Sequence, residues 1–117
     1  MVLEIAELPS GVKQLALRGR LDIQGANAID NQFAFAVTTS KAPVLVDLSA
    51  VDFIASIGIR LLLQNAKSLK NRGGKLVLYK PQPLVAEALT TAGIDLLIPV
   101  YDDLDTAIVA LLAAPSA

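Results

Sequence analysis

A chain of 117 residues, 54% hydrophobic and 18% charged, is long enough for one packed domain and too apolar to remain disordered. Its formal charge of −1, with no long basic run, leaves no electrostatic footprint for nucleic acid. The lack of cysteine and histidine removes disulfides, thiolate nucleophiles, imidazole bases and the usual zinc sites, and fits a reducing compartment.

Met1-Val2-Leu3-Glu4 lacks the basic start and apolar core of a signal peptide. The longest apolar stretch, Ala107 to Pro115, falls well short of the roughly 18–20 residues that a spanning helix requires. A cytoplasmic protein without direct membrane insertion is expected.

In Val2–Glu7 and Val12–Arg18 apolar side chains recur with a period of two, and Pro9-Ser10-Gly11 supplies a turn between them. This predicts a hairpin with strands at about residues 2–7 and 12–18. Gly19 to Gly25 reads as a loop anchored by Leu21. A helix is expected over Ala26–Thr39, with Ala26, Ile29, Phe33, Ala36 and Val37 on its apolar face. Pro43–Leu48 is short, β-branched and nearly all apolar, as a strand covered on both faces should be. Ser49–Ala55 then links it to a second helix, Ser56–Asn71. Ile59, Leu62, Leu63, Ala66 and Leu69 are its expected core stripe, opposite Arg60, Gln64, Lys67 and Asn71.

Gly73-Gly74 ends that helix, and Lys75–Lys80 forms the next strand. Pro83 suits the first turn of a third helix with Leu84, Val85, Ala88, Leu89 and Ala92 inward, stopped by Gly93. Leu96–Tyr101 reads as an edge strand because it contains Pro99. Asp102 or Asp103 caps a fourth helix, with Leu104, Ala107, Ile108, Leu111 and Leu112 inward and Pro115 at its end. The order β-β-α-β-α-β-α-β-α predicts one α/β domain over residues 1–117. Its sheet is mostly parallel with about five strands, the first antiparallel at an edge, packed with about four helices.

Residues 47–63, from Asp47-Leu48-Ser49 to Ala55-Ser56-Ile57-Gly58 and on to Leu63, resemble the central motif of STAS domains. In that motif a strand ends in Asp-Leu-Ser, and a short apolar link leads to Asp-Ser-Ser-Gly or Asp-Ser-Ala-Gly at a helix start. Arg18-Gly19-Arg20-Leu21-Asp22 resembles the family's Gly-Glu-Leu-Asp segment, and Asn71–Leu76 its Gly-Gly turn. Among the anti-sigma-factor antagonists of this family, the serine after the motif's aspartate is the phosphoacceptor. The resemblance makes that residue Ser56. It implies docking on an anti-sigma factor that is also a Ser/Thr kinase, release of a sigma factor, loss of docking on phosphorylation and recovery by a Ser/Thr phosphatase. This sequence departs from the motif at Ala55, which replaces the aspartate, and at Ile57, which replaces a second small residue.

The residues themselves leave alternatives. At a helix start the Ser56 hydroxyl can cap free amides, and a phosphate there would be tolerated by the helix dipole. Gly58 allows close approach of a backbone or nucleotide, or simply packing of helix on sheet. Asp22 can contact a kinase, orient the Ser56 hydroxyl or satisfy loop amides. Ile57 and Leu61 lie off the expected core stripe, as does Phe35 on the first helix. They form an apolar patch for a partner unless loops cover them. Arg60 can meet an acidic partner or phosphate, or sit on a solvated face.

No Walker loop, Gly-x-Gly-x-x-Gly or triad histidine is present. The expectation is therefore a non-enzymatic binding module with no cofactor and no metal. Its phosphoacceptor is Ser56, and its partner-binding residues are Asp22, Ile57, Gly58, Arg60 and Leu61. A homodimer is compatible with the sequence. Two other roles fit the same fold: a subunit bracing the ATPase of a bacterial lipid-transport complex, and a nucleotide or small-molecule sensor.

Overall fold

Alternating apolar side chains on the central strands create two buried faces, and the helices divide between them. The structure, a computed structural model, describes residues 1–113. The expected helix stop at Pro115 and the tail after it lie outside these residues.

Five strands form one sheet in the order β1-β2-β3-β4-β5: Val2–Glu7, Lys13–Leu21, Val44–Ile54, Leu76–Tyr79 and Val100–Tyr101. β1 pairs antiparallel with β2, and all later pairs are parallel. The helices are α1 (Ile23–Thr38), α2 (Ser56–Asn71), α3 (Pro83–Thr91) and α4 (Leu104–Leu112), with a 3₁₀ turn at Ile94–Leu96. The predicted fold class is the one observed.

Along β3, Val44, Val46 and Leu48 join one apolar cluster with Ile29 and Phe33 of α1, Leu62 of α2 and Leu89 of α3. Leu45 points the other way and packs with Val12, Val77, Ala107 and Leu111 under α4. This division follows from the two-residue period of a strand.

Several boundaries differ from those read off the sequence. β2 continues through Leu21 and β3 through Ile54, where a loop and a link were expected. The extensions pair with each other, Gly19 opposite Val51 and Leu21 opposite Ile54, with register shifts between Ala16 and Arg18 and between Gly19 and Arg20. α1 starts at Ile23, three residues early, because Asp22 caps it. Residues 96–99 are not strand. Leu96 closes the 3₁₀ turn, and β5 is only Val100–Tyr101.

The buried residues of α2 are Gly58, Leu61, Leu62, Asn65 and Leu69, whereas Ile59, Leu63 and Ala66 are half-buried. The helix is rolled by about one position from the expected stripe. Leu84 and Leu112, expected inward, are 74% and 51% exposed. The local stops behave as read: Pro83 opens α3, and Gly73 and Gly93 take left-handed φ of 81° and 75°.

Candidate functional site

In an open α/β sheet, helix N-termini gather beyond the carboxyl ends of the parallel strands, which is where such folds place ligands and partners. Here β2 ends at Leu21 and β3 at Ile54, and each turns at once into a helix. The Ala55 amide donates to the Leu21 carbonyl at 3.0 Å, so the starts of α1 and α2 are fastened side by side.

Ser56 is the first helical residue of α2 and is exposed. The N-cap is Ala55, at φ −101° and ψ 170°, and its side chain makes no capping hydrogen bond. The expected capping role of Ser56 is thus corrected: the chain turns into the helix one residue earlier, and the serine stands at the rim of the terminus.

Asp22 serves the neighbouring helix. Its Oδ1 accepts from the Gly25 amide at 2.8 Å, and its Oδ2 lies 3.5 Å from Arg20 Nε. The Gly25 hydrogen bond, with Arg20 adding to it, holds this carboxyl below its ordinary range. Of the readings of Asp22, satisfying local amides is the one this geometry fills.

Gly58 is buried against β2. A Cβ there would lie 2.6 Å from Leu21 Cγ and 2.8 Å from the Leu21 carbonyl oxygen. The space beside it is filled by helix-to-sheet packing, so no partner backbone or nucleotide can enter it. Leu61 corrects a second expectation. It is 4% exposed and belongs to the main core, because the roll of α2 turns position 61 inward. Ile57 is half-buried against that core, while Arg60 is exposed.

Ile57, Arg60 and Leu61 meet Ala26, Asn27 and Asp30 of α1 around a cleft of about 190 Å³, with Leu61 at its buried side. Three further residues at this end were not singled out from the sequence. Ile23 is 64% exposed at the start of α1, and Phe53 is 38% exposed near the end of β3. The Arg20 guanidinium lies over the Phe53 ring, 4.3 Å from its centroid. Val51 and Ile54 point inward while Asp52 and Phe53 are both exposed, because a register shift between Gly19 and Arg20 breaks the two-residue period, so alternation along the chain offered no clue to Phe53. Phe35 is 70% exposed but lies in the last turn of α1, at the opposite end from Ile23.

Among the described residues no three acids lie close enough together to hold a metal ion, and no helix is long and apolar enough to cross a membrane.

Comparison with known proteins agrees with this geometry. The STAS domain family matches residues 5–107. BtrV of Bordetella bronchiseptica, named as an anti-sigma factor antagonist, is 30% identical over 104 residues, covering 89% of this chain and 90% of that protein. The crystal structure of an anti-sigma factor antagonist from Mycobacterium paratuberculosis superposes with a TM-score of 0.86 at 24% identity, covering 96% and 94% of the two chains. The Bacillus cell fate determinant SpoIIAA in its phosphorylated form gives 0.68 at 18% identity over 92% and 96%. These two structures are alike in fold. With the family's match spanning nearly its whole length, this chain belongs to the STAS domain family.

Proposed function

We propose that this protein is a cytoplasmic anti-sigma-factor antagonist, a regulatory binding module that docks on an anti-sigma factor of the Ser/Thr kinase type and frees a sigma factor. Ser56 is its phosphoacceptor and a phosphatase resets it. The observation that carries this reading is the exposed Ser56 hydroxyl at the fastened helix starts, flanked by exposed apolar Ile23 and Phe53 and by the exposed cations Arg20 and Arg60. The name of BtrV and the phosphorylated state of SpoIIAA support it.

An apolar patch with cations around it suits a partner that brings apolar contacts and carboxylates. Ile57, Arg60 and the exposed Phe53 supply that surface directly. Leu61, Gly58 and Asp22 act beneath it, setting the position of α2 and α1.

A phosphate on Ser56 adds about −1.5 to −2 charges. At an exposed helix start it neither strains the fold nor lacks favourable dipoles. It does place a dianion where an acidic partner must settle, so binding is lost without any large movement. Ala55 bears no carboxylate, so the kinase must orient the Ser56 hydroxyl with its own groups.

The test is calorimetric titration with the cognate kinase. Ser56→Ala should bind like wild type, and Ser56→Asp about tenfold or more weakly. Equal affinity of all three would remove the phosphate switch.

A further inference from the structure

The sheet ends before the helices laid over it do. β5 has only two residues, so below it α2 and α4 border an open edge of β4. A groove of about 690 Å³ runs along that edge, within the roughly 300–1,000 Å³ usual for small-molecule sites.

Its apolar lining includes Leu63 and Ala66 of α2 with Leu97 and Ile98 before β5. Leu97 is 62% exposed, and Leu63 and Ala66 are only half-buried, whereas Leu62 and Leu69 of the same helix are sealed. The groove is therefore apolar surface that the described residues leave uncovered.

The charge lining it is of one sign. Lys67, Lys70 and Lys75 border the groove, and among the described residues no aspartate or glutamate does, in a chain whose net charge is −1. Lys75 is engaged, its Nζ donating to the carbonyls of Ala110 at 3.3 Å and Ala113 at 3.2 Å. Lys67 and Lys70 are exposed one helical turn apart, and neither forms an ion pair among the described residues. Their stems can lie along apolar surface while the ammonium groups stay in water.

An added peptide strand would find only a short free edge here, because the Leu78 and Lys80 amides of that edge already donate to the carbonyls of Pro99 and Tyr101. The groove instead suits a ligand that needs apolar contact along its length and a cation pair at one end. We propose that it binds one fatty acid, the hydrocarbon along Leu63, Ala66 and Leu97 and the carboxylate at Lys67 and Lys70.

This site is separate from the docking surface. Lys67 and Lys70 follow Ser56 by 11 and 14 residues on α2, about 16–21 Å along a helix that rises 1.5 Å per residue.

The test titrates the ¹⁵N-labelled full chain with monomeric laurate and follows its amide spectrum. Laurate should produce saturable shifts confined to residues 63–77 and 97–101. The Lys67→Glu/Lys70→Glu double variant should melt like wild type and bind laurate about tenfold or more weakly, and uncharged dodecanol should lose a similar factor with the wild type. No saturable shift, or laurate binding unchanged by charge reversal, would overturn the proposal. So would an acidic peptide shifting these amides where laurate does not, or light scattering that shows a second copy already covering the face.

Discussion

The amide of Ala55 donates to the carbonyl of Leu21 at 3.0 Å, joining the last residue of β2 to the residue before Ser56. Gly58 sits directly above the same Leu21, and its missing side chain lets α2 lie that close. The position of the Ser56 hydroxyl is therefore set by β2, an element about thirty-five residues earlier in the chain.

Gly58→Ala should destabilise the fold. Alanine gains up to about 1 kcal/mol of helix propensity, but its methyl would stand 2.6 Å from Leu21 Cγ and 2.8 Å from a carbonyl oxygen that Ala55 holds in place. Overpacking of this kind costs about 1–3 kcal/mol, so the expected net loss is up to about 2 kcal/mol in urea unfolding. A gain in stability would show that α2 can lift off β2 without cost.

Asp22 should make stability depend on acid pH. The Gly25 amide bond and Arg20 lower its carboxyl in the folded state from an ordinary value of 3.8. A depressed carboxyl contributes stability that is full above its unfolded value and is lost as pH falls through its folded one. The melting temperature of Asp22→Asn should therefore lie below wild type at pH 7, and the gap should narrow as pH drops below 3.8. A gap independent of pH down to about 2 would mean that the charged form has no special role in the cap.

Phe53→Ala should separate binding from folding. The ring is 38% exposed and stacked with Arg20, an interaction worth about 0.5–1 kcal/mol at such a site. With the apolar burial of its covered part, its loss should lower stability by about 1–2 kcal/mol, while weakening kinase binding about tenfold or more. Unchanged affinity would place the docking surface elsewhere.

The two phenylalanines of α1 should behave oppositely. Phe33 is fully buried and Phe35 is 70% exposed. Phe33→Ala should cost about 3–5 kcal/mol, a large part of the roughly 5–15 kcal/mol that holds a domain of this size. Phe35→Ala should stay within about 0.5 kcal/mol. Thermal melts of the two variants side by side check this.

Features that depend only on neighbouring residues were legible in the sequence. Alternation marked β1 and the first half of β2, the 3.6-residue stripe marked the inner face of α1, and Pro83 and Gly73 stand where a helix start and a left-handed stop need them. The motif around Ser56 placed that serine at the mouth of α2, where it is found exposed. Tertiary structure decided the rest. Gly19–Leu21 and Ser49–Ile54 are strand only because they pair with each other, which neither segment's composition reveals. Whether Leu61 or Leu63 lies inside depends on the roll of α2 over the sheet, and Gly58 sets that roll by letting the helix settle onto Leu21. Two residues of one helix with similar hydrophobicity cannot be told apart until the surface they pack against exists, and that surface is assembled from distant parts of the chain.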